Sequence, residues 1–193
     1  KNSQGHKDRS WTRQIISFGL KIHPTNLVAI LEQRIDVILV GFMIGPTAVG
    51  LYSLATAFAE TGLIIPNSLS SLIIPKTAKG GTAPKKIIWF SFLFTIIYAI
   101  IVIFICEYLI KRFFGTAFSD STVPTKILTV GAIFFGLRKT LISLAFGRGS
   151  TKRPFAVMSL SLVINIGLNL ILIPRFQVAG AALSSLITYT LSA

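Results

Sequence analysis

The strongest constraint in this sequence is a set of three ionisable residues, Glu32, Arg34 and Asp36, in the middle of an otherwise apolar run from Gln14 to Leu54. A helix of that length and hydropathy crosses a bilayer, and an ionisable group near the bilayer centre costs about 2.5–3.5 kcal/mol on insertion scales. Such residues face a bundle interior or a water-filled cavity, where they mark a pathway. The run closes on Gly45, Pro46 and Gly50, which break the helix and turn the chain back.

The rest of the chain agrees with a membrane setting. Hydrophobic residues make up 52% and charged residues 13%, about half the charged share of a soluble domain, and the mean hydropathy is +0.75. The formal net charge of +13 does not point to nucleic acid. Its Lys and Arg lie mostly in short gaps between apolar runs, as juxtamembrane basic residues do. Cys106 is the single cysteine and sits inside an apolar run, so neither a disulfide framework nor a metal motif is expected. The chain has no initiator Met and ends within an apolar run at Ala193, and we read it as a piece of a longer protein cut at both ends.

The pattern predicts an all-α, polytopic transmembrane bundle of about six helices. A polar, basic stretch over residues 1–13 reads as the end of a cytoplasmic loop, with Trp11 at the interface. Helices are expected over about 14–44, 51–74, 87–110, 124–146, 155–173 and 178–193, the second kinked at Pro66. Residues 87–106 are uncharged and long enough to cross a core of about 30 Å. Ser121 or Thr122 would cap the fourth helix. Asn165 and Asn169 fall on one face of the fifth.

Orientation follows from the basic residues. The tail and the 75–86 and 148–153 loops hold eleven Lys and Arg, whereas the intervening turns hold only Lys111, Arg112 and Arg175. The first set is therefore expected in the cytoplasm. With single cysteines at Thr47, Lys79 and Thr151 in a Cys106→Ser background, a membrane-impermeant thiol reagent applied to intact cells should label only position 47. Labelling at 79 or 151 would reverse the orientation.

At a rise of 1.5 Å per residue, Glu32, Arg34, Asp36, Glu60, Arg138 and Lys139 all fall about 14–22 Å from the outer turns. Three acids and three bases thus share one layer, which allows internal compensation. On an ideal helix Glu32 and Asp36 form one stripe, and Arg34 points to the opposite side. Either the acids face the bundle interior and the arginine a cavity, or the reverse.

Two pieces of the sequence carry a family resemblance. Arg34-Ile-Asp36 with Val49-Gly-Leu-Tyr52, and Leu172-Ile-Pro174 with Gly180-Ala-Ala-Leu183, together resemble the second lobe of polysaccharide and O-antigen flippases, relatives of the MATE exporters and lipid II flippases. The resemblance implies one six-helix lobe of a two-lobe, alternating-access transporter. The 1–13 stretch would end the interlobe loop, and residues 14–193 would form the C-terminal lobe. It implies a lipid-diphosphate-linked oligosaccharide moved across the cytoplasmic membrane for polysaccharide, O-antigen or capsule synthesis, coupled to H+ or Na+. The partners it implies are that substrate, membrane lipid, the N-terminal lobe of the same chain and polysaccharide polymerase or glycosyltransferase machinery; no nucleic acid or cofactor is expected.

Within that scheme a doubly charged diphosphate needs cations at depth. Arg34 and Arg138 suit it, because a guanidinium stays charged when buried and grips phosphate with a fork, and Lys139 is a third candidate. Glu32, Asp36 and Glu60 are the ion-coupling candidates, since a buried carboxylate can take up a cation on one side and release it on the other. A MATE-type multidrug antiporter is an alternative that deep arginines disfavour. A membrane-embedded glycan polymerase or ligase would carry a large outer loop. No Ser-His-Asp set, metal-ligand cluster or phosphate-cradling glycine loop points to an enzyme.

Overall fold

A computed structural model describes the backbone of residues 3–78 and 85–193, and side chains over 23–78 and 86–193. The expected loop residues 79–84 lie outside the described residues, as do the side chains of 1–22, Trp11 included. The described chain is helical, in the order α1 (Ser3–Met43), α2 (Pro46–Thr61), α3 (Ile64–Ala78), α4 (Lys85–Leu109), α5 (Thr122–Gly147) and α6 (Lys152–Ser192), with a π turn and a 3-10 turn between α4 and α5. No strand occurs among the described residues, and the molecule is an all-α membrane bundle.

Several boundaries depart from the sequence expectation. The 3–13 backbone continues α1 and does not form a loop, because its polar residues include no proline to stop a helix. In place of one helix over 51–74 there are two, α2 and α3, bent by 52°. The break falls at Gly62–Leu63, between the two helices, one turn before Pro66. Ser121 occupies the cap position of α5, yet its hydroxyl makes no cap bond.

Two reversals set the architecture. Gly45 has φ of 121° and hands the chain to Pro46 at the first position of α2, where a proline lacks nothing the helix needs. In α6 the reversal is at Gln177, which has φ 52° and ψ −129°. Its two halves lie against each other: a Cβ on Gly180 would collide with the backbone carbonyl of Leu172. Asn169 before the turn and Ser185 after it contact the same residue, Asp36. So do Ser161 and Ser192, which both contact Arg138. α6 is a helical hairpin.

Among the described residues the interior mixes small and polar side chains with an apolar core that includes Val40, Leu128, Phe135 and Ile173, and large apolar side chains cover the outside. On α4 the buried stripe is Ser91, Thr95, Ala99, Val102 and Cys106, continued by Ile110 of the π turn, while Trp89, Phe90, Phe104 and Tyr108 are exposed. In the first half of α6 Ser161, Asn165 and Asn169 are buried while Leu160, Val163 and Leu170 are exposed. Bundles in lipid pack this way because hydrocarbon gives helices no hydrophobic reason to associate, so small residues and interhelical hydrogen bonds hold them. The helix α5 lies centrally, against α2, α3, α4 and α6. Residues 86–114, 116–147 and 152–192, the last containing the hairpin, are each long and apolar enough to cross a membrane, and α2 with α3 pass the same test together as a bent pair.

Candidate functional site

Two buried polar clusters lie one helical turn apart on α1. The first is an ion pair. Arg138 of α5 donates from Nη1 to Glu32 Oε1 at 2.7 Å and from Nη2 to Oε2 at 2.8 Å, and the two side chains are 3% and 1% exposed. Ser161 donates to Glu32 Oε1, and Nη1 also reaches the hydroxyls of Ser161 and Ser192. The guanidinium lies 4.9 Å from the Phe135 ring centroid and 5.7 Å from that of Tyr189. This cluster ties α1, α5 and both halves of α6 to one point, since a fork that fits both carboxylate oxygens admits little displacement.

The second cluster is centred on Asp36, 3% exposed. Its Oδ1 accepts from Asn169 Nδ2 at 2.6 Å; its Oδ2 accepts from Ser185 Oγ and, at 3.2 Å, from the Tyr52 hydroxyl. Every donor is neutral, and among the described residues no cation stands within ion-pair distance of Asp36. The Asn169 amide nitrogen also faces Asn165 O and Oδ1 at 3.0 and 2.9 Å, three acceptors for two hydrogens. Its own Oδ1 is buried with no hydrogen-bond partner. Neutral donors from α2 and both halves of α6 thus surround a carboxylate that has no counter-charge among the described residues.

Arg34 stands on the other side of α1. Its guanidinium is 4.0 Å from Glu60 of α2, with side chains 60% and 51% exposed. Between α1, α2, α5 and α6 lies a crevice of about 50 Å³ whose lining includes both Glu60 and Asp36. Gln33, Thr56 and Glu60 stand among its lining residues, together with Asp36, Tyr52 and Tyr189.

Of the six charged residues singled out from sequence, the structure brings Glu32, Asp36 and Arg138 into the interior and Arg34 and Glu60 onto the outward face. The half-buried Lys139 has no carboxylate within 4.0 Å among the described residues. The two arginines do not share a surface, and the fork of Arg138 is occupied by Glu32. Sequence reading missed Tyr52, Ser161, Ser185 and Ser192 as members of the site. The signal available was the four-residue spacing of Ser161, Asn165 and Asn169 along an apolar helix. For Ser185, Ser192 and Tyr52 no spacing distinguished them from neighbouring hydroxyls.

An all-α bundle with apolar outer faces, one buried ion pair and a buried carboxylate held by neutral donors beside a crevice defines a multi-pass membrane protein. Residues 8–193 match the family described as lipid II flippase MurJ; the chain belongs to that family, one of lipid-linked flippases in the MATE-like superfamily. It is also similar to an uncharacterized membrane protein of Methanocaldococcus jannaschii, 25% identical over 190 residues, which are 97% of this chain and 46% of that protein. The chain therefore spans about half the length of the curated relative it matches. No solved structure matches.

Proposed function

We propose that this chain is the C-terminal lobe of a flippase for a lipid-diphosphate-linked saccharide, with Arg34 holding the diphosphate and Asp36 serving as the coupling carboxylate for H+ or Na+. One observation carries the reading: Arg34 and Glu60 are exposed at mid-span on a lobe whose other outward faces are apolar. Exposed to hydrocarbon these charges would be costly, so this face borders water and a second lobe. Sites of repeat transporters lie between their halves, which supports placing the substrate there. Arg138, committed to Glu32, is assigned to positioning and not to the substrate; Lys139 is an auxiliary cation.

The lipid diphosphate is common to lipid II and to O-antigen or capsule precursors, so the glycan is the term that separates the matched family from the polysaccharide flippases. The test uses full-length protein in proteoliposomes, with fluorescent lipid II and a fluorescent lipid-diphosphate-linked O-antigen unit as probes. Arg34→Ala should slow translocation about 10- to 100-fold, the worth of one charged hydrogen bond. Arg34→Lys should slow it less, keeping the charge and losing the fork. Wild-type rates in Arg34→Ala at normal levels of folded protein would sink the assignment, and the faster of the two probes identifies the glycan class.

A further inference from the structure

Arg34 and Glu60 are more than a surface ion pair, because Glu60 lines the same crevice as Asp36. We infer that Glu60 is the entry carboxylate for the coupling cation, that Arg34 holds it in check, and that diphosphate binding at Arg34 releases it. Anionic substrate and cation are thereby coupled through competition for one guanidinium. The inference rests on the roles proposed above for Arg34 and Asp36.

Asp36 is 3% exposed, so a cation can reach it only along a polar path. The crevice among α1, α2, α5 and α6 has apolar walls in Ala59, Leu63, Leu128, Ala132 and Phe135, but its volume of about 50 Å³ exceeds the roughly 10–15 Å³ that one water requires. Gln33, Thr56 and Glu60 supply polar groups along it, and Tyr52, whose hydroxyl touches Asp36, belongs to the same lining. Glu60 is the one carboxylate of that lining besides Asp36.

Charge then decides when the path attracts a cation. With Arg34 at 4.0 Å the guanidinium offsets the Glu60 carboxylate and repels an approaching cation. A diphosphate brings more negative charge than one carboxylate and suits the fork better. It therefore displaces Glu60, whose pairing at this exposure is worth little. The freed carboxylate draws the cation to the crevice, and Asp36, beside the hydroxyls of Ser185 and Tyr52, receives it. By reciprocity a bound cation must strengthen diphosphate binding by the same factor.

The test uses the full-length protein in nanodiscs, with farnesyl diphosphate as the anionic probe. Cation binding is read both as bound radioactive Na+ and as proton uptake from a weakly buffered medium, with Asp36→Asn marking the signal that belongs to Asp36. Saturating farnesyl diphosphate should tighten Na+ or proton binding by about fivefold or more, the lower range of site-to-site coupling. In Glu60→Gln that factor should fall below about twofold, while farnesyl diphosphate itself binds about two- to fivefold tighter for want of its competitor. Glu60→Asp, which keeps the carboxylate, should retain the coupling. Coupling undiminished in Glu60→Gln, or absent from the wild type although both ligands bind, would overturn the inference and leave the roles of Arg34 and Asp36 standing. Failure of the wild type to bind farnesyl diphosphate, or a cation signal indifferent to Asp36→Asn, would overturn those roles and the inference with them.

Discussion

Arg138→Ala is expected to destabilise the folded protein by about 3–5 kcal/mol, because it strands Glu32 as an unpaired charge in a dry interior. The carboxylate would keep only the Ser161 hydroxyl of its present partners. Packing is lost as well, since the guanidinium lies over Phe135 and Tyr189. The pair need not be favourable against an apolar replacement, since desolvating two charges is expensive and hydrophobic substitutes of similar volume often do as well. The double change Glu32→Gln with Arg138→Met should therefore recover most of the stability that Arg138→Ala loses. Thermal unfolding of detergent-solubilised full-length protein reads both. A midpoint for Arg138→Ala indistinguishable from wild type would show that the pair holds nothing together, and translocation by a folded double variant would confine the pair to a positioning role.

Asp36→Asn should behave in the opposite manner, with the fold kept and transport lost. The substitution is nearly isosteric, and the hydroxyls of Ser185 and Tyr52, which donate to Asp36 Oδ2, can rotate to accept from an amide. What disappears is the negative charge that Asp36 adds to the crevice lining. Charged hydrogen-bonding contacts are worth about 1.5–3 kcal/mol, so losing the charge should weaken cation binding roughly 10- to 150-fold and ion-driven translocation with it. The measurement is probe translocation in proteoliposomes under an imposed H+ or Na+ gradient, normalised to folded protein. Gradient-driven transport at the wild-type rate in Asp36→Asn would remove Asp36 from the coupling role.

The contrast between these two acids shows where the sequence stopped being informative. Glu32 and Asp36 are one turn apart on the same face of α1, and nothing local distinguishes them. One faces a guanidinium 106 residues away in the chain; the other faces an amide and a hydroxyl 133 and 149 residues away. Helical periodicity put Arg34 opposite both acids but left open which side was the interior, because that depends on which face of α1 its neighbours cover. In the same way Asn165 and Asn169 were legible as a pair on one face, while their service to Asp36 was not. The reversal in α6 lies between Pro174 and Gly180, both of which mark turns, yet the residue with positive φ is Gln177. No propensity selects a glutamine there; the contact of Gly180 with the Leu172 backbone does.

The sequence by itself determined the all-α membrane bundle, since long apolar runs separated by basic gaps have no other stable solution in lipid, where every backbone polar group must be satisfied within the segment. It also determined that three acids and three bases would share one layer near mid-span, since opposite charges at one depth can offset one another. Only the tertiary structure decided how the layer was divided, with Glu32 locked to Arg138, Asp36 left among neutral donors, and Arg34 with Glu60 turned outward beside a crevice. Period and spacing describe one helix at a time. Ion pairing and access are properties of the gaps between helices, and those gaps exist only once α1, α5 and the α6 hairpin have packed.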